Sequence, residues 1–262
     1  MNKYVIDKLF LLSITVMGLF LTGCNILTPQ IDRTFSPPEN GRTVKITVDV
    51  PDVAELSPIE IMYRSNLCLS TKINGSREKY PTLGANYYTD TLKKENVDSL
   101  YSIELPINGG GKCDWKLSNV TLGLDLKINN HFDENISESI GSGIIIIFDN
   151  NKAQRTIGSV ISKNGDFNIS EHYFPWVNHL YKDNKGKTLW LYGKELYLFY
   201  KSRDAKEITW NPIIHTDAVV YSEYPAERKT KGIQRTFYYS DGTQEITNES
   251  NPNYQKLLSL IK

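Results

Sequence analysis

Apolar and polar residues alternate along much of this chain, the period of a strand with one buried face. The pattern is plain in SLYSIELPI (99–107) and DWKLSNVTLGLDLKI (114–128). It recurs in TVKITVDV (43–50), IEIMYRSNLCLS (59–70), TIGSVIS (156–162), TLWLYG (188–193) and KELYLFYKS (194–202). DAVVYSEY (217–224), IQRTFYYS (233–240) and TQEITN (243–248) continue it. Residues 144–148, IIIIF, are apolar without alternation, which predicts a central strand covered on both faces. Gly193-Lys194 reads as a two-residue hairpin turn, and Asp241-Gly242 favours a type I′ hairpin. One helix is expected, in NPNYQKLLSLIK at the end, where Tyr254, Leu257, Leu258 and Ile261 recur at helical spacing. The fold class is therefore mainly β, an antiparallel β-sandwich-like architecture with a short C-terminal helix. FDNNKAQRT (148–156) reads as a hairpin turn, with a boundary between two β units near 149–156 as the alternative.

The first residues break the pattern. MNKYVIDKLFLLSITVMGLFLTGCN starts with Lys3 and Lys8, diluted by Asp7, and residues 9–21 carry no charge. An apolar run of that length suits a secretory signal and is too short for a membrane span of roughly 20 residues. It ends in Leu21-Thr22-Gly23-Cys24, which resembles the lipobox of bacterial lipoproteins. Small residues let an extended chain enter the signal peptidase, and the Cys24 thiol becomes the site of lipidation. An ordinary signal peptide with a chance cysteine is the plainer alternative. Each buried methylene contributes about 0.8 kcal/mol, so several acyl chains hold a protein firmly on a bilayer. Asn25 after the lipidated position favours the outer membrane of a Gram-negative cell, on its periplasmic face.

The expected organisation is a signal peptide (1–23), a lipidated Cys24 with an extended tether (24–43), and a β-rich periplasmic domain (44–262). Prolines at 29, 37 and 38 suggest the tether, and a packed N-terminal arm is the other reading of that stretch. Without the leader the net charge is −1. A nearly neutral chain lacks the clustered basic footprint that nucleic acid requires.

Acylation of Cys24 leaves Cys68 and Cys113, and an even pair in an oxidising compartment suggests a disulfide. Two buried free thiols are the alternative. PINGGGKC (106–113) looks at first like a phosphate loop. A P-loop needs Gly, four residues, then Gly-Lys-Ser/Thr, yet Pro106 and Cys113 stand where the glycine and hydroxyl belong. The glycines are left with a conformational role: a connection or bulge over Asn108–Gly111 that directs Cys113 at Cys68.

MYRSNLC (62–68), GGGKCDWKLSNVTLG (109–123) and the lipobox together resemble enterobacterial lipoproteins encoded beside type VI secretion effectors. The likeness covers mainly residues 59–128. It implies an immunity lipoprotein whose partner is a secreted antibacterial effector toxin, notably a phospholipase, neutralised in the periplasm by occlusion of its active site. It further implies attachment to the membrane through Cys24, with neither cofactor nor catalytic residues.

No catalytic motif competes with that implication. There is no Gly-x-Ser-x-Gly elbow. His131, His172, His179 and His215 form no HExxH or paired Cys/His array. His172 and His179 could share a helix face only if Pro175 between them were tolerated. His215 and Asp217 share a strand face without an assignable nucleophile. No enzyme activity is expected.

A second functional class comes from Tyr173, Phe174, Trp176, Trp190, Tyr192, Tyr197, Phe199 and Tyr200. On an open sheet they would stack on sugars, making a glycan- or peptidoglycan-binding envelope lipoprotein. Packed inside they are ordinary core and cross-strand residues. NNHFDENISESIGSG (129–143) is a polar, acidic candidate for partner contacts, or else a solvated loop.

Overall fold

A computed structural model of the chain describes residues 31–97, 99–128, 132, 135–151, 159–179, 186–224 and 235–261. The leader, Cys24 and the first part of the expected tether lie outside these residues, as do His131 and residues 152–156. Contacts divide the chain into Met1–Asp32 and Arg33–Lys262, and the second unit holds all the sheets.

The alternating segments form strands because each covers one face. In Thr43–Asp49 burial alternates residue by residue, with Val44, Ile46 and Val48 fully enclosed. This strand lies inside a five-stranded sheet, antiparallel to Leu100–Pro106 and parallel to Glu207–Trp210.

The largest sheet runs in the order Val160–Lys163, Tyr197–Ser202, Ser142–Ile147, Trp115–Leu126, Ile59–Ile73, Lys79–Asp90. Ser142–Ile147 is buried at every position between Tyr197–Ser202 and Trp115–Leu126. The unbroken isoleucines thus occupy the central strand that their lack of alternation predicts.

The third sheet is built on His172–His179, antiparallel to Lys187–Tyr192 and parallel to Val220–Glu223. The helix Tyr254–Leu260 closes this side, with Leu257 buried among Phe174, Trp176, Val220 and Phe237. Asn253 caps it by accepting from the Lys256 amide, a contact typically worth about 1 kcal/mol. The fold is mainly β and sandwich-like with a short C-terminal helix. Its sheets mix parallel ladders with the antiparallel ones.

Two turns differ from expectation. Lys187–Tyr192 and Tyr197–Ser202 flank Gly193-Lys194 but do not pair. The first joins His172–His179 and Ile136–Ile140, the second Ser142–Ile147 and Val160–Lys163. Gly193 crosses between sheets, and its Cα faces the Tyr173 ring so closely that a Cβ would lie 2.8 Å from it. Asp241-Gly242 does close a hairpin, between Arg235–Tyr238 and Gln244–Thr247. Only Gly242 has positive φ there, 81°, and its amide donates to the Tyr239 carbonyl. That is a type I turn ending in a left-handed glycine rather than a type I′ turn.

The glycine loop also gains a partner. Arg33–Ser36 lies along it: the Ser36 amide donates to Gly109 O at 2.9 Å, and Ser36 bridges Gly110. This is the packed-arm reading of the tether, realised over residues 33–36. Gly110 and Gly111 have φ of 59° and 71°. A Cβ on the first would lie 2.1 Å from Ser36 O, and one on the second 2.2 Å from Thr34 O. Phe35 anchors the arm edge-on against Tyr63 and Tyr88, with centroids 4.8 and 5.6 Å away.

Candidate functional site

The two segments that carry the resemblance meet at one place. In the largest sheet, Met62 lies opposite both Asn119 and Tyr87, Glu60 opposite both Thr121 and Thr89, and Thr121 opposite Ile145. Directly opposed residues share a face. These seven therefore project together and line a cleft of 420 Å³. Its floor is Met62 and Ile145, both buried, while the Tyr87 ring on its rim is 64% exposed. The Arg33 guanidinium lies 6.0 Å from the Tyr87 centroid. An apolar floor, a tyrosine rim and a few polar groups can hold a protein side chain or a small ligand.

Behind the cleft stands a brace. The Cys68 and Cys113 sulfurs lie at bonding distance, their Cα atoms 5.3 Å apart. Cys113 is fully buried. Ser65 organises the same spot: its hydroxyl donates to the Cys113 carbonyl and accepts from the Leu67 and Cys68 amides at 3.0 Å. Between Ser65 and Ser70 the ladder to Lys79–Asp90 slips, so Asn66–Leu69 bulges outward. Gly84 accommodates the bulge, since a Cβ there would lie 1.8 Å from Cys68 O. Asn108–Gly110 pairs with Trp115–Leu126 through a register shift, and Gly110, Gly111 and Asp114 around Cys113 are left-handed, Asp114 at φ 46°.

His172, His179 and His215 are not among the residues that line the cleft. His172 and His215 meet, Nδ1 to Nε2, at 2.7 Å. His179 sits seven residues away at the other end of the strand His172–His179, so His172 and His179 do not converge. Among the described residues no cluster of three His, Cys, Asp or Glu side chains could hold a metal ion. His215 faces His172 and the Phe174 ring, 5.1 Å away. Burial, and then His172, hold its pKa below the ordinary imidazole value.

Tyr173, Phe174, Trp176, Trp190, Tyr192, Tyr197, Phe199 and Tyr200 are buried or half-buried, so these eight form no open stacking row. Trp176 illustrates why. It lies against Trp190, its indole N–H donates to Ser222 Oγ at 2.8 Å, and the Arg235 guanidinium lies 5.5 Å from its ring. Of the acidic segment 129–143, Ile136–Ile140 is an outer strand of the third sheet rather than a loop.

The alternation did not reveal the Tyr87 rim. A period of two says which residues share a face, not whether that face is covered. The signal available was Tyr87-Tyr88, two adjacent aromatics that a half-buried strand must send to opposite faces. No family model, curated protein or solved structure matches this chain.

Proposed function

We propose that this protein is an immunity lipoprotein that binds a type VI secretion effector, of phospholipase class, and neutralises it by occluding its active site. Anchored through acylated Cys24, it acts on the periplasmic face of the outer membrane. One observation carries the reading: Met62, Asn119 and Thr121, from the two segments that carry the resemblance, converge with Tyr87 on an open cleft. Residues serving only the core would all point inward. Tyrosine on a rim over an apolar floor is the usual make-up of an interface anchor. The disulfide and Ser65 hold the cleft's edge in shape before binding, which lowers the ordering cost of association.

The test is survival of cells that receive the neighbouring effector, with and without this protein. Expression should protect, and Tyr87→Ala should abolish protection while the protein persists at its normal level. Equal killing in both strains ends the immunity reading for that effector. Labelling with radioactive palmitate and fractionation of the envelope test the anchor separately. Label should be lost in Cys24→Ser.

A further inference from the structure

The strand Ile59–Ile73 outruns its sheet. Trp115–Leu126 pairs with it only over Glu60–Arg64, so from Ser65 onward its sole partner is Lys79–Gly84. A two-stranded ribbon therefore projects from the body. Such ribbons are marginal alone, and this one is secured at both ends. At the base are the disulfide and Ser65. At the tip Asn74 closes the turn: its side chain accepts from the Ser76 and Glu78 amides and donates to Glu78 Oε2.

Its surface is unusual. Leu67, Leu69, Ile73 and Tyr80 are 69, 52, 63 and 42% exposed. Lys72, Arg77 and Lys79 are exposed beside them, and the one carboxylate at the tip, Glu78, is tied to Asn74. In register, Ile73 lies opposite Lys79 and Tyr80 opposite Lys72. At these paired positions each face carries one apolar side chain and one cation, and neither is a polar back. A protein groove covers one face of a ribbon, whereas a lipid interface surrounds both. Aliphatic side chains in the acyl boundary, tyrosine at the headgroups and lysines reaching out to phosphate are what a bilayer surface favours.

We propose that the ribbon tip, residues 69–80, is a second membrane contact that inserts into the interface of a bilayer containing anionic phospholipid. Position supports this occupant. Arg33 leaves the domain beside Tyr87, on the outer strand of the ribbon. Nine residues reach at most about 30 Å, so acylation at Cys24 would set that upper limit on the distance between Arg33 and the lipid surface. That limit rests on the anchor reading. The charge and apolar pattern of the tip does not.

The experiment uses the full acylated chain, reconstituted into vesicles of phosphatidylethanolamine with phosphatidylglycerol, and carrying Ile73→Trp. Leu69→Trp is the companion variant. Brominated acyl chains should quench the tip tryptophan and shift its emission to the blue, while native Trp115 and Trp210, fully buried, are spared. Lys72→Glu with Lys79→Glu should remove the quenching, each reversal weakening contact by about fivefold or more. Cosedimentation with vesicles reports the anchor and quenching reports the tip, so the two readings are scored independently. Tip tryptophans that stay unquenched in both variants overturn the proposal. So does protection from solvent only after the effector is added, which assigns the ribbon to a protein partner.

Discussion

His172 Nδ1 and His215 Nε2 lie 2.7 Å apart, with ring centroids separated by 5.0 Å and planes by 17°. Most of the separation is the nitrogen contact itself, so the rings meet edge to edge in one plane as an N–H···N pair. One imidazole donates and the other accepts. Adding a proton to both removes the acceptor and sets two cations together. The Phe174 ring stacks against His215, and the Tyr254 hydroxyl donates to the His172 carbonyl. The helix is thus tied to the main chain of His172 through Tyr254, beside the imidazole pair. Since the folded pKa of His215 is depressed by burial and by His172, the unfolded chain binds that proton more readily. Its contribution to stability is complete above about pH 6.5 and declines as pH falls through that value. Melting temperature should drop between neutral pH and pH 5, above the range where carboxylates titrate. His215→Gln should flatten this slope, and an unchanged slope in the variant refutes the assignment.

Much of the strand content is legible in the alternation because burying one face imposes it residue by residue, as Val44, Ile46 and Val48 do. Pairing is less legible. Lys187–Tyr192 and Tyr197–Ser202 are neighbours in sequence, yet both find their partners far along the chain. Local turn chemistry at Gly193-Lys194 cannot register that competition. The glycine loop is readable as conformational but not as a seat for Thr34 and Ser36, since nothing local announces a segment arriving from far upstream. The Cys68–Cys113 pair is readable because, once Cys24 is read as a lipidation site, three cysteines leave a single pairing.

Breaking that pair should loosen the ribbon before it unfolds the domain. The bridge spans 45 residues of sequence, for which loop-closure entropy gives about 4 kcal/mol. Cys68→Ser with Cys113→Ser should lower the free energy of unfolding by that order in a denaturant titration. Amide exchange in the double variant should rise first over residues 65–84. Uniform acceleration across all three sheets contradicts the role given to the brace.

Gly110 supports a different contact. Its φ is 59°, and a methyl group added there would lie 2.1 Å from the Ser36 carbonyl oxygen, so no side chain fits. Gly110→Ala must shift the backbone or release the arm, costing about 2 kcal/mol or more through the left-handed strain alone with the clash added. Cleavage after Arg33 by trypsin should accelerate in the variant. Gly75→Ala is the control, because its added methyl meets nothing within 4 Å. It should stay within about 0.5 kcal/mol of the parent.

The ribbon tip repeats the geometry of the Tyr239–Thr243 turn with a different residue in the strained place. In both, the fourth residue donates its amide to the first carbonyl: Arg77 to Asn74, and Gly242 to Tyr239, each at 3.0 Å. Both fourth residues are left-handed, at φ 64° for Arg77 and 81° for Gly242. Glycine adopts this conformation freely, whereas a side chain costs about 1–2 kcal/mol. Arg77→Gly should therefore raise stability by up to about 1 kcal/mol, part of the relief being offset by the greater freedom of glycine in the unfolded chain. It also removes one of three cations from the tip. A thermal melt should show the gain, and the vesicle assay should show weaker tip quenching in the same variant. Opposite signs in the two measurements separate the stability of the turn from the contact made by its charge. If Arg77→Gly instead lowers the melting temperature, the strain assigned to this turn is absent.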